Sequence, residues 1–320
     1  MQIARSLSEL TTLTGPSVVT IGNFDGVHCG HRMVIASVLD RARQLNARSA
    51  AITFEPHPAH LLHTDSRLSL ITPLAQKLDL LAATGLDLVL VLAFTEELRL
   101  WSARRFAEAV LRDTLHAVEV HEGETFRFGH NAEAGIDGLQ QLGDALDFTV
   151  QTYQPFVSRG SAISSSRIRA LIAAGRLAEA RALLGRSFSV HSTPASGRGY
   201  GTKYAVPTIN LAPYVDLLPA HGVYVTTLKI GGEKTFRGVT NIGNRPTFGA
   251  DSFAVETHLF GFEPIDLNES TPLEMTFLHR LRAERRFESP ELLRAQIGRD
   301  VAKAQRYFGL MDALTPHPPL

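Results

Sequence analysis

Cysteine is almost missing from this chain: Cys29 is the one cysteine among 320 residues. No internal disulfide can form, which fits a reducing compartment. A surplus of either charge is missing too, since Lys plus Arg and Asp plus Glu each number 32. Proteins that grip nucleic acid by its phosphates usually carry a basic excess, so the balance argues against a nucleic-acid partner. No stretch approaches the roughly 20 apolar residues of a membrane span. The opening residues, MQIARSLSELTTL, have neither the apolar core nor the cleavage site of a signal peptide. The expectation is a cytoplasmic protein without a membrane partner. Neither an internal repeat nor a low-complexity block is present, and the oligomeric state is left open.

What is there is an alternation. SVVTIG (17–22), RSAAITF (48–54), LDLVLVLAF (86–94) and AVEVHEG (117–123) read as strands. Helical patterns lie between them at 31–45, 72–85 and 102–113, the second with Thr72 as N-cap, Pro73 in its first turn and Gly85 as its stop. Strands apolar on both sides and separated by helices predict a parallel sheet covered on both faces. Helices at 161–186 close this half. Beyond Gly185 the pattern becomes sequential strands at 187–193, 222–230, 234–243, 253–260 and 272–282, with Gly231-Gly232 as a hairpin turn. That order predicts an antiparallel barrel. A last helix runs from Ser289-Pro290 to about Phe308, capped by Gly309, and 311–320 reads as a frayed tail. The length and this break suggest two domains, 1–186 and 187–310.

NFDGVHCGH (23–31) follows the first strand, at the end where parallel sheets hold ligands. Residues three apart on a helix share a face, so His28 and His31 would meet at a helix N-terminus, an anion site. Gly26 and Gly30 let backbone approach a ligand. Zinc held by His28, His31 and Asp25 is the competing reading, but no motif completes the ligand set. ISSSRIR (163–169) joins hydroxyls at a helix start to two arginines, a second phosphate-suited group. Alone it would read as an N-cap with solvated arginines.

In the second half, GRGYGTKYAVPTINLAP (197–213) offers glycines that can wrap phosphate, and Thr208 and Asn210 as hard oxygen donors for Mg²⁺. An ordinary surface loop is the bland alternative. Glu256 and His258 alternate with Val255, Thr257 and Leu259 on one strand. A carboxylate on the inner face of a barrel mouth can serve as general base, and a solvated strand face is about equally compatible with the pattern.

GNFDGVHCGH and ISSSRIR, together with TFEPHP (53–58), LVLVLAF and FRFG (126–129), resemble the prokaryotic bifunctional riboflavin kinase/FAD synthetase family in order and spacing. PTINL, VTNIGNRPTF (239–248) and VETHLF resemble the kinase half of the same family, and the likeness extends to about residue 308. It implies an N-terminal parallel-sheet, Rossmann-like nucleotidyltransferase domain of the HxGH type, then an antiparallel β-barrel kinase domain with a C-terminal helix. It implies ATP and Mg²⁺ as co-substrate and cofactor, riboflavin and FMN as flavin substrates, and FAD as product. Gly22, Asn23, Phe24, Asp25, His28, His31, Ser164, Ser165 and Arg167 would bind the ATP of the adenylyltransferase. Phe54, Pro56, His57, Pro58 and Phe128 would border its flavin. In the kinase half Gly197, Arg198, Gly201, Thr208 and Asn210 would bind ATP, Thr208 and Asn210 the metal, and Glu256 would be the base. The chain departs from the family pattern at Thr125, at Ser192, in the longer segment 202–206 and at Gly261. An adenylyltransferase whose altered barrel only binds flavin is the alternative reading. A flavin- or RNA-binding regulator belongs to a different class and would not turn over ATP.

Overall fold

The computed structural model describes residues 1–62, 68–158, 160–195, 208–244, 253–262 and 267–314. The chain divides into two compact units, Met1–Arg167 and Ile168–Leu320.

The first unit is built on six strands: β1 (Gln2–Ala4), β2 (Ser17–Ile21), β3 (Arg48–Glu55), β4 (Leu88–Ala93), β5 (Ala117–Gly123) and β6 (Thr149–Tyr153). Their order is β1-β4-β3-β2-β5-β6, and every pairing is parallel. The long central helix α1 (Cys29–Leu45) follows β2, and α2 (Pro58–Leu62) and α3 (Leu74–Ala82) follow β3. After β4 come α4 (Glu96–Arg99) and α5 (Ala103–Phe106), which runs on as π-helical turns through Arg112; α6 (Ile136–Leu146) precedes β6. α1 and α3 bury Ile35, Val38 and Leu81 against Val18, Ala51 and Val89 on one face of the sheet. On the other face Val110, Leu111 and Leu139 pack against Val19, Ala50 and Leu90. Both faces are therefore covered, which is why β2 is buried at every residue instead of alternating.

Two strands were not legible in the pattern. β1 has three residues at the sheet edge, and β6 is largely exposed, so neither has the apolar run of a central strand. Thr72 does not cap α3: its hydroxyl accepts from Gly26 N at 2.9 Å, and Pro73 occupies the cap position. The order of strands reverses at β2, with β3 and β4 to one side and β5 and β6 to the other. The crevice beyond the carboxyl ends of β2 and β5 is the switch point at which such sheets take ligands. The two-residue strands β7 (Val157–Ser158) and β8 (Ser161–Ala162) form a small hairpin before α7 (Ser165–Ala173).

The second unit includes α8 (Leu177–Leu184) and the strands β9 (Phe188–Ser192), β10 (Thr208–Asn210), β11 (Gly222–Ile230), β12 (Lys234–Asn244), β13 (Phe253–Leu259) and β14 (Leu273–Ala283). They form one antiparallel sheet in the order β10-β13-β12-β11-β14-β9. Its two edges meet: Ala212 N donates to Thr193 O at 2.8 Å and Ala195 N to Asn210 O at 2.9 Å, which curls the sheet into a barrel. Gly231 and Gly232 both take positive φ, 61° and 79°, in the three-residue hairpin loop completed by Glu233, a conformation that glycine adopts without strain. The short β10 was hidden inside the glycine-rich stretch.

α9 spans Pro290–Leu314, so Gly309 does not cap it. The extra turns are held in place. Arg237 on β12 pairs with Asp312 through two bonds, one of 2.8 Å, and its guanidinium lies 4.9 Å from the Phe308 ring centre. Residues 315–320, the end of the expected tail, lie outside the described residues.

Candidate active sites

A cavity of about 710 Å³ opens at the carboxyl ends of β2 and β5. That volume lies within the usual range for small-molecule sites. The loop from β2 to α1 forms one wall under backbone strain. Phe24, Gly26 and Val27 all have positive φ, 47°, 86° and 36°. Such strain in non-glycine residues is common where a loop is held for function. Behind the wall Phe24 is buried and meets the His31 ring edge-on, centroids 5.2 Å apart.

His28 is the N-cap of α1, and its Nδ1 accepts the His31 backbone N–H at 3.2 Å. An accepting Nδ1 leaves the proton of the neutral ring on Nε2. The rings of His28 and His31 stack with centroids 3.6 Å apart and 15° between planes. Gly30 makes the stack possible, because a Cβ there would sit 3.2 Å from the His28 ring. Burial, followed by the charges of His28 and Lys77, holds the His31 pKa well below its ordinary value, so the ring is neutral. Its buried Nδ1 has no hydrogen-bond partner among the described residues. Two imidazoles thus join the first N–H groups of a helix, where positive dipole is concentrated.

Several expected nucleotide residues sit on this cavity: Gly22, Asn23, Phe24, His28, His31, Ser164 and Ser165 line it. Asp25 does not. It is buried, and its carboxylate accepts from the backbone N–H groups of Ile71 and Thr72 at 2.9 and 3.0 Å. Its role is to tie the β2–α1 loop to the start of α3, which also separates it from the zinc reading. Among the described residues no cluster of three or more His, Cys, Asp or Glu could hold a metal. Ser165 Oγ donates to Asp25 O at 2.8 Å, joining the two sequence motifs directly. Ser164 Oγ accepts from Arg167 N at 3.3 Å, as a cap of α7. The Arg167 guanidinium folds back onto carbonyls of the β7–β8 hairpin, Ser161 O at 2.9 Å among them, and is not part of the cavity wall.

Of the residues expected to border a flavin, Phe54, Pro58 and Phe128 line the cavity, whereas Pro56 and His57 do not. His57 Nδ1 accepts from Ala59 N at 3.1 Å, securing the start of α2.

Four residues on or behind the cavity were missed. Lys77 is buried, and burial lowers its pKa against the opposing pull of Glu55 and Asp25. Its Nζ donates to Asn23 O at 3.2 Å and Thr53 Oγ1 at 3.1 Å, fixing the loop from behind. A lysine on the same helix stripe as Leu74, Leu78 and Leu81 was the available signal. Trp101, the one tryptophan, lines the wall with its buried indole N–H lacking a partner among the described residues. Tyr153 also lines it and bonds His121 Nδ1 at 2.7 Å; His121 Nε2 in turn bonds Glu119 at 2.8 Å. Glu122 lies on the cavity floor.

In the second unit, Val255, Thr257 and Leu259 are buried while Glu256 and His258 alternate with them. Thr257 joins an interior chain of hydroxyls, 2.9 Å from Thr240, itself 2.7 Å from Thr226. The expectation of an inward Glu256 is therefore overturned: the β-branched and aliphatic residues fill the barrel, and the carboxylate lies on its outer face. The register places Asn210 of β10 and Asn241 of β12 opposite Glu256, and Thr208 opposite His258. Thr208, Asn210 and Glu256 thus share one face despite their sequence separation. On the same face the His258 ring meets Phe260, which packs toward Phe308 of α9. Gly197, Arg198 and Gly201 lie outside the described residues.

The two residue clusters, stacked histidines over a helix N-terminus in one unit and a row of oxygen donors on a barrel in the other, sit in the fold of a transferase. Residues 11–167 match the family model of FAD synthetase, and residues 184–308 that of riboflavin kinase. The bifunctional riboflavin kinase/FMN adenylyltransferase of Escherichia coli (strain K12) is 35% identical over 311 residues, 97% of this chain and 99% of that protein. The protein of the same name from Pseudomonas fluorescens is 35% identical over 306 residues, covering 95% and 97%. A solved structure described as a macrolide-efflux protein from Streptococcus pneumoniae superposes with a TM-score of 0.84 at 25% identity, covering 95% of this chain and 98% of that one. The chain belongs to the bifunctional riboflavin kinase/FMN adenylyltransferase family. Among the described residues no helix is long and apolar enough to cross a membrane.

Proposed function

We propose that residues 1–186 transfer the adenylyl group of ATP to FMN, releasing pyrophosphate, and that residues 187–310 phosphorylate riboflavin to FMN with ATP. The observation that carries the first step is the stacked His28–His31 pair at the N-terminus of α1, in a cavity with an aromatic wall. The phosphate of FMN attacks the α-phosphorus of ATP in line, and negative charge grows on the departing pyrophosphate. The His28 ring and the backbone N–H groups at the start of α1 would donate to that charge. His31, neutral and buried, adds its ring to the stack without bringing a charge into it. No covalent enzyme intermediate is needed, because positioning and charge stabilisation suffice.

In the kinase half, Glu256 takes the proton of the ribityl hydroxyl as the phosphoryl bond forms. Thr208 and Asn210 share its face and offer the hydroxyl and amide oxygens that suit Mg²⁺, so the donor set fits. Bound there, the ion would neutralise ATP phosphate charge. The experiment is incubation of purified protein with riboflavin, ATP and Mg²⁺, followed by chromatography. FMN appearing before FAD supports both steps. FAD formed only from added FMN supports the first alone, and no ATP turnover removes both.

A further inference from the structure

Glu122 stands where the cavity floor is laid by the ends of β2 and β5, and it is 4% exposed. The parallel ladder between these strands runs Ser17↔Ala117 to Val19↔Val120 and then stops. Glu122 fills the gap it leaves. Its Oε1 accepts the Ile21 backbone N–H, and the Thr20 hydroxyl lies 3.5 Å away. No Lys, Arg or His pairs with it among the described residues, and its second oxygen has no hydrogen bond within them. Burial pushes its carboxyl well above the ordinary range, opposed by those two bonds.

A buried carboxyl with one backbone N–H donor and no cation favours the neutral acid. Both contacts go to Oε1, which leaves Oε2 as the oxygen to carry the proton of the acid. A carboxylate only accepts, whereas the acid also donates one O–H. The phosphates of a nucleotide are drawn to the α1 N-terminus, where N–H groups and imidazoles gather. A single neutral donor on the sheet floor suits an uncharged acceptor, a ring nitrogen or carbonyl of a planar heterocycle.

We propose that Glu122 is a specificity-determining residue that donates one hydrogen bond from its protonated carboxyl to an acceptor on a substrate heterocycle. Both the adenine of ATP and the isoalloxazine of FMN carry such acceptors. The inference rests on the adenylyltransferase reading of this cavity.

The test uses the full chain carrying Glu122→Gln or Glu122→Leu. Glutamine keeps a carbonyl for Ile21 and an N–H donor in place of the O–H, whereas leucine keeps neither. E122L should raise KM about tenfold for one substrate, with kcat little changed. E122Q should stay within a few-fold of the unaltered protein. A rise for ATP assigns the contact to the base, and a rise for FMN to the isoalloxazine. Quenching of Trp101 fluorescence by ATP or FMN gives the same comparison as Kd without turnover. If the unaltered protein makes no FAD, the adenylyltransferase reading falls, and the Kd values still decide on Glu122. If E122Q loses as much as E122L, or neither KM nor Kd moves in E122L, the proposal is wrong. Where E122L does not fold, Glu122→Ala, which also lacks the donor, takes its place: a tenfold loss for one substrate beside a near-normal E122Q supports the neutral donor, and an unmoved Kd overturns it.

Discussion

A single ring can carry two roles when its nitrogens face different partners. His28 uses Nδ1 to cap α1, and its Nε2 edge is proposed to serve the ligand. The roles can be separated by substitution. Asparagine is a strong N-cap but lacks the ring, so His28→Asn should keep the melting temperature and slow FAD formation about a hundredfold. His28→Ala should slow it as much and also destabilise the fold by about 1 kcal/mol. Thermal unfolding and FAD assays side by side check this; normal FAD formation by H28N would make the ring a cap and nothing more. Glu122 bears on stability as well as specificity. Its folded pKa is raised, so the folded protein holds this proton more tightly than the unfolded chain. The contribution is full below the unfolded carboxyl value, about 4.3, and declines as pH rises towards and through the folded one. Denaturant unfolding across that range should show E122Q losing this decline; identical slopes for the two proteins would place an ordinary carboxylate at the site.

At the scale of elements, the central strands and α1 were legible because burial on both faces writes itself as continuous apolar runs. The edge strands β1 and β6 and the three-residue β10 were not, since an edge or half-exposed strand needs no such run. The histidine pair could be read from its spacing after a strand, but the work of Asp25 and Arg167 could not. Their partners, Ile71, Thr72 and the β7–β8 hairpin, are set by tertiary contacts that no local pattern encodes. The face taken by Glu256 depended on which side of an alternating strand fills the barrel, and alternation alone is symmetric. Gly309 was read as a stop, although α9 continues through it. A Cβ there would meet nothing within 4 Å. Gly309→Ala should therefore stabilise the protein by about 0.5–1 kcal/mol by removing unfolded-state freedom. A lower melting temperature for G309A would place a left-handed cap at that residue.

At the scale of the molecule, each unit has its own hydrophobic core and its own cluster of candidate residues. Chemistry lost in one half should then leave the other working. Glu256→Gln keeps the size of the side chain but cannot accept a proton. It should cut FMN formation about a hundred- to ten-thousandfold, with FAD formation from added FMN intact. Robust FMN formation by a folded E256Q protein would move the base elsewhere, His258 being the neighbour on that face.

If the stacked histidines serve adenylyl transfer, the product pattern of His31→Ala reveals it. Given riboflavin, ATP and Mg²⁺, this protein should accumulate FMN at the normal rate and form FAD about a hundredfold more slowly. Equal loss of FMN and FAD, or FAD formed at the normal rate, would contradict it.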